Sequence, residues 1–145
     1  MLFKNEEASL KLDIVNYEFP ADGGDPTSDD RNWLVLRATW VNEEGQIVKD
    51  SNSCLLTYEL REMTAGLKVL SAGIKDWYAS SFVEPYFELA AQAEEDEFRV
   101  DVAFYLPNTM DGEDTAEVTA RMTSAELKEL IDELDKLCAK YPDRA

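Results

Sequence analysis

Residues 98–106 read Phe-Arg-Val-Asp-Val-Ala-Phe-Tyr-Leu, the clearest strand pattern in the chain. Apolar residues occupy every second position, which is the period of a strand with one buried face. Before it, Tyr86–Ala93 also has strand character, and the acidic stretch Glu94–Glu97 separates the two segments. The pattern therefore predicts a β-hairpin with Glu94–Glu97 at its tip.

A further strand and a helix follow this hairpin. After a polar connection at 107–115, alternation over 118–122 predicts one more strand. Thr123-Ser124-Ala125-Glu126 is a capping box, in which the Thr and Glu side chains satisfy free backbone donors at a helix start. Pro142 ends the helix. Its apolar stripe consists of Leu127, Leu130, Ile131, Leu134, Leu137, Cys138 and Tyr141.

The N-terminal half begins with two predicted strands. Apolar residues alternate over Ser9–Phe19, but their phase slips near Val15–Asn16, which predicts a β-bulge there. Trp33–Val41 is the second strand. The turn Asn42–Gly45 ends in a glycine suited to positive φ, and it predicts a hairpin leading into Gln46–Lys49.

A helix is predicted next, because the apolar period changes from two to between three and four. Thr57 is its predicted cap, Gly73 its predicted end, and Gly66 an unfavourable residue in its interior. Its apolar seam consists of Leu56, Leu60, Met63, Leu67 and Leu70.

The order of elements predicts an α+β fold. The expectation is a mostly antiparallel sheet of about five to six strands with two amphipathic helices, in the order βββαβββα. The length of 145 residues fits one domain, 1–145. A domain of this size buries enough surface to be stable without a disulfide or a structural metal.

Charge is the unusual feature of the composition. Fourteen Lys and Arg against 31 Asp and Glu give a formal net charge of −17. This charge makes nucleic acid and anionic membrane poor partners and favours a basic protein surface or a metal ion. Solubility alone is the competing explanation. With neither a signal peptide nor an apolar run of membrane-spanning length, we expect a cytoplasmic protein.

The sequence contains no recognisable catalytic motif. There is no histidine, which removes the usual nucleophile activation and proton shuttle. There is no glycine-rich phosphate loop and no nucleophile elbow. Cys54 and Cys138 match no zinc or disulfide pattern and are expected to be free thiols. We expect no enzyme activity, no cofactor and no metal site.

Three acidic connections are the candidate partner-binding segments: 20–32, 94–97 and 107–115. Their competing interpretation is solvated turns, and the Asp-Gly pairs in the first and third lack the ligand spacing of an EF-hand. Trp77 and Tyr78, expected between elements, are a further candidate anchor if exposed. The acids predicted to contact a basic partner are Asp22, Asp25, Asp29, Asp30, Glu94, Glu95, Asp96, Glu97, Asp111, Glu113 and Asp114.

Several short segments, taken in order, resemble a known family. They are Tyr17–Pro20, Asn32–Leu34, Cys54–Leu60, Phe82–Pro85 and Tyr141–Pro142. Together they resemble the WapI-like bacterial immunity proteins, cytoplasmic partners of contact-dependent toxins. The chain departs from the family pattern before Cys54, where Asp-Ser-Asn-Ser stands in place of an expected Asp-Pro.

The resemblance implies a non-catalytic protein that binds and neutralises the C-terminal domain of a toxin. Such toxin domains are often nucleases, whose basic grooves suit an acidic inhibitor. The resemblance does not identify any residue of this chain as a toxin contact. The alternative is a structural or regulatory binding module, with a monomer or a weak homodimer through a sheet edge as the expected state.

Overall fold

A computed structural model of the chain describes residues 1–25, 27–106 and 114–144, with the backbone alone for Asp114. Over these residues the chain forms two four-stranded antiparallel sheets and two α-helices. The elements are β1 (Leu2–Lys4), β2 (Ser9–Tyr17), β3 (Trp33–Val41), β4 (Ile47–Leu56), α1 (Thr57–Ser71), β5 (Trp77–Ala79), β6 (Phe87–Glu94), β7 (Glu97–Leu106), β8 (Asp114–Thr123) and α2 (Ser124–Lys140).

The α+β prediction is confirmed, with differences in strand number and arrangement. The described elements run ββββαββββα, and the strands lie in two sheets, ordered β1-β2-β3-β4 and β5-β6-β7-β8. The prediction missed β1 and β5 because each has only three residues, too few for alternation to be recognised. The second half thus repeats the architecture of the first, four antiparallel strands followed by a helix.

The first sheet contains the predicted bulge and hairpin. The register of β2 against β3 shifts between Ile14 and Asn16, and Gly45 adopts φ 78° in the turn before β4. Leu56, the first residue of the predicted helical seam, lies in a strand and not in the helix. β4 continues through Leu56, because its polar middle pairs with β3 although its residues have little strand propensity.

The second sheet is built around the hairpin of β6 and β7. Glu94 pairs with Glu97 across a two-residue turn in which Glu95 has φ 55°. β8 then pairs with β7 over its whole length, from Leu106 opposite Asp114 to Glu97 opposite Thr123. The alternation that predicted this sheet holds, since Phe87 and Phe104 are paired and fully buried.

Both helices end as their sequences predict, but different hydrogen bonds cap their N-terminal ends. Thr123 accepts a hydrogen bond from Glu126 N at 3.2 Å, the predicted capping box of α2. At the start of α1 the predicted Thr57 cap is wrong, because the backbone N–H of Leu56 donates instead to the Glu59 carboxylate at 3.0 Å. Gly73, with φ 74°, follows the last turn of α1 as predicted.

A hydrophobic cluster joins both sheets and both helices. Each sheet turns one face toward this cluster and leaves the other outward, and α1 packs on α2. The edges of the sheets meet where Asn5 Nδ2, in the turn between β1 and β2, donates to the Thr119 carbonyl on β8 at 3.1 Å. None of the described helices is both long and apolar enough to cross a membrane.

Candidate partner-binding surface

The first acidic loop is organised by its own carboxylates. Asp25 accepts hydrogen bonds from the backbone and hydroxyl of Thr27, at 2.9 and 2.7 Å, and these bonds hold the pKa of Asp25 below its usual value. Asp30 accepts from Asp25 N at 2.9 Å, and Asp29 accepts from the Tyr58 hydroxyl at 3.4 Å. The loop acids therefore have local structural roles, as acceptors for turns and contacts to α1.

The C-terminal segment fastens this loop to the rest of the fold. Arg144 donates to the Phe19 carbonyl at 3.0 Å, and its guanidinium lies 3.3 Å from the centre of the Tyr17 ring. The backbone N–H of Arg144 donates to Asn32 Oδ1 at 2.7 Å, and Asn32 Nδ2 donates back to the Arg144 carbonyl. A cation thus lies beside the loop and offsets part of its charge.

The second acidic segment is also partly neutralised. Glu94 forms ion pairs with Arg99 at 3.3 Å and Arg121 at 3.0 Å, and Arg121 also lies 4.0 Å from Glu97. Glu95 and Asp96, at the tip, are exposed. The described acids of the first and second segments contact different elements, so they do not form one cluster.

The third segment falls mostly outside the described residues. Asp111 and Glu113 lie there, and Asp114 is described only as the backbone residue that opens β8 opposite Leu106. The assignment of all three predicted segments to partner binding stays a prediction.

A surface that the sequence prediction missed is a cleft of about 940 Å³ between the two sheets. Its floor is the outward face of the second sheet, where Ala90 and Ala103 leave space above the backbone. Its walls are the β1–β2 turn with Glu7 and the end of β3 with Trp40 and Glu43. We call this feature the inter-sheet cleft.

The charged residues that line the inter-sheet cleft are all acidic. Among the described residues, no Lys or Arg lines it. Glu88 and Glu117 flank Ala103 on neighbouring strands, and Asp101 accepts from Thr119 Oγ1 at 2.7 Å. These acids occupy the polar positions of strands whose apolar positions had been recognised. That alternation is the sequence signal that identifies outward-facing acids, although it does not show that they share a cleft.

Aromatic side chains border the cleft. Next to Glu88 and Glu117, a smaller depression of about 480 Å³ is lined by Tyr86 and Tyr105, whose rings are 5.4 Å apart. Trp40, in a wall of the cleft, also borders a third depression of about 460 Å³. The cleft and its extensions therefore combine carboxylates with aromatic surface, the residue types that anchor many protein interfaces.

The outward face of the first sheet has the opposite charge. The cross-strand registers place Lys11 beside Leu2 and Thr39, and Lys49 on the other side of Thr39. Arg37 lies on the same face, where Asp13 pairs with it at 3.7 Å. The chain is therefore strongly acidic as a whole, yet it has one cationic sheet face and one acidic cleft.

The described residues contain no group of three or more His, Cys, Asp or Glu side chains arranged to hold a metal ion. Cys54 is fully buried, and this burial, followed by the charges of Glu59 and Glu84, raises the pKa of its thiol to about 12. Such a thiol stays protonated near neutral pH and is a poor nucleophile.

The segments that carry the family resemblance meet in the fold. The Tyr17 hydroxyl donates to the Pro142 carbonyl at 2.6 Å, and the Tyr17 and Tyr141 rings pack edge to face. Glu59 is 3% exposed and accepts from Val83 N at 2.8 Å as well as from Leu56. These contacts give the shared segments a packing role.

The described acidic and aromatic surfaces are of a kind that occurs in protein interfaces. The chain belongs to the WapI-like immunity protein family, whose model matches residues 1–142. The resemblance predicted from the short segments is confirmed. Immunity proteins of this kind are typically non-catalytic, and membership implies that the protein binds and neutralises a cognate toxin.

Comparison with solved structures supports the fold alone. The crystal structure of WHY3 from Arabidopsis thaliana is similar over 97% of this chain and 86% of that chain, with a TM-score of 0.50 and 16% sequence identity. No curated protein matches the sequence of this chain.

Proposed function

We propose that the cognate toxin of this immunity protein is a basic domain of the nuclease class, bound in the cytoplasm by electrostatic attraction and blocked sterically. The observation that carries this proposal is the net charge of −17 in a protein whose family neutralises toxins. A nuclease presents cationic side chains to phosphates, and an acidic inhibitor complements the same side chains.

Electrostatic attraction also raises the association rate, which has to be high for an inhibitor to neutralise a toxin. An inhibitor has to bind before the toxin reaches its substrate, and complementary charge accelerates encounter to about 10⁸–10⁹ M⁻¹s⁻¹ at low salt. The exposed acids Asp22, Glu95 and Asp96 have no ion pair within the described chain and contribute to this long-range field. We therefore keep the predicted acids as steering residues.

Co-expression tests this function directly. The gene immediately upstream is inspected for a toxin with a variable C-terminal domain. That candidate toxin domain is expressed from an inducible promoter, with and without this chain, and growth and RNA and DNA integrity are followed. We expect growth arrest with nucleic-acid cleavage from the toxin alone, and full rescue by this chain. Arrest that persists despite soluble expression of both proteins would contradict the neutralising function. Rescue without any nuclease activity in the toxin would contradict the nuclease class alone.

We further propose that residues 1–145 act as one domain and as a monomer or weak homodimer. A homodimer is the second candidate because β4 is an edge strand of the first sheet and Ile47 at its start is 65% exposed. Light scattering over a concentration series distinguishes the two, and a tight dimer that fails to bind the toxin domain would favour the regulatory module.

A further inference from the structure

We propose that the inter-sheet cleft is the docking surface for the toxin and that its occupant is a segment carrying Lys or Arg side chains. This inference rests on the proposed function and makes it more specific. It assigns binding to Glu88, Glu117 and the cleft walls, none of which the sequence had identified, and it leaves the acidic loops with a steering role.

The shape of the cleft suits an inserted segment. Small residues form its floor, and Glu88 and Glu117 stand on either side of Ala103, two strand spacings or about 9–10 Å apart at the backbone. At that distance the two carboxylates engage different cations of one segment. Glu7 and Glu43 on the walls face the same space. A flat surface would offer these contacts from one side only.

The cleft acids differ from Glu94 of the second acidic segment in how many ion pairs they form within the described chain. Among the described residues, Glu7, Glu43, Glu88 and Glu117 form no ion pair, and of the cleft acids only Asp101 has one, to Arg99 at 3.2 Å. Their charge is available to a partner without first breaking an internal contact. By contrast, Glu94 already lies between two arginines, so a partner cation there has to compete with them.

Charge complementarity also fixes which sheet faces the toxin. The outward face of the first sheet carries Lys11, Arg37 and Lys49 with one acid, Asp13, which pairs with Lys11 at 3.9 Å and Arg37 at 3.7 Å, so this face retains an excess of cations and is unfavourable for a basic partner. The outward face of the second sheet attracts it. The tyrosine pair Tyr86 and Tyr105 beside the cleft supplies apolar contact area and a surface for cation–π contacts.

Two matched double variants test the assignment. Glu88→Gln with Glu117→Gln removes two charges from the cleft while keeping side-chain size. Glu129→Gln with Asp132→Asn removes two charges from the exposed side of α2, where neither acid has an ion pair in the described chain. Both full-length variants are checked for unchanged thermal melting. Each is titrated with fluorescent octalysine and with the candidate toxin domain of the co-expression test, at low and physiological salt.

We expect the cleft variant to bind octalysine about fivefold more weakly or worse, and the α2 variant to change by less than about twofold. Equal weakening of both variants would mean that only total charge matters, and it would overturn the assignment. So would an unchanged cleft variant, or no binding of octalysine to the wild type. If the octalysine pattern holds but the wild type does not bind the toxin domain, the proposed function fails while the cleft remains a site for basic segments.

Discussion

Gly66 lies in the middle of α1, and replacing it by alanine tests the packing between that helix and the second sheet. A Cβ atom at this position would lie 2.3 Å from Cδ1 and 2.4 Å from Cε1 of Tyr78. Ordinary contacts between carbon atoms are about 3.5–4.0 Å. The ring of Tyr78 therefore has to move by about 1 Å or more, although β5 is held by its register with Ala91.

Two opposing terms determine the effect of Gly66→Ala on the free energy of unfolding. Alanine is favoured over glycine inside a helix by about 1 kcal/mol. Overpacking costs about 1–3 kcal/mol, and a 2.3 Å approach to a held ring places this substitution in the upper part of that range, at about 2–3 kcal/mol. We expect a net loss of about 1–2 kcal/mol in the wild-type background, which lowers the Tm by about 3–8 °C. When Tyr78→Ala removes the ring, the same substitution should stabilise the protein by about 1 kcal/mol.

A double-mutant cycle measured by urea denaturation gives the four free energies. The control is Ala65→Gly, the reverse change at the exposed neighbouring position, which should cost about 1 kcal/mol with or without Tyr78. The reversal of sign at Gly66 is the diagnostic result. If Gly66→Ala stabilises both backgrounds equally, the ring does not pack against this glycine and the described contact between α1 and β5 is wrong.

Three further predictions concern the buried contacts near the shared segments. Glu59→Ala leaves two backbone donors without their carboxylate and should cost about 3–5 kcal/mol in urea denaturation, whereas Glu62→Ala on the exposed side of α1 should cost less than about 0.5 kcal/mol. Arg144→Ala removes the stacking on Tyr17 and the bond to the Phe19 carbonyl, immediately before the first acidic loop, and leaves the backbone bonds to Asn32. It should cost about 1–2 kcal/mol and increase proteolysis within that loop, and an unchanged cleavage rate would contradict the fastening role. Burial raises the pKa of Cys54 from 9.0 to about 12, so the folded state keeps a proton that the unfolded state loses. Stability should therefore fall as pH rises from 9 toward 12, less steeply in Cys54→Val, and Ellman's reagent should label Cys54 only after unfolding.

Local pattern predicted most of the elements because it depends on neighbouring residues alone. Alternation over 98–106 predicted β7 and its buried face, and the capping box at 123–126 predicted the start of α2. The phase slip near Val15 predicted a real bulge. Each of these features arises from the period of the backbone and from hydrogen bonds within a few residues, so a single sequence contains enough information to infer it.

Longer-range pairing produced the errors in the prediction. The middle of β4, Asp50–Ser53, has the composition of a turn, yet pairing with β3 keeps it in a strand. Glu59 gives no sign in the sequence that its carboxylate accepts a hydrogen bond from the backbone N–H of Val83, 24 positions along the chain. Gly66 is unfavourable in a helix by propensity, and the packing of Tyr78 against it is a contact between distant residues. Each of these three features involves a partner distant in sequence, which propensity does not encode.

The sequence by itself determined the acidic charge, the absence of histidine and the polar positions of Glu88, Asp101 and Glu117. Only the tertiary structure decided that these acids border one cleft, that the tip acid Glu94 is neutralised by arginines, and that the first sheet presents a cationic face. The physical reason is that alternation specifies which side of a strand faces outward. How two sheets pack, and which outward faces they bring together, depends on contacts throughout the core.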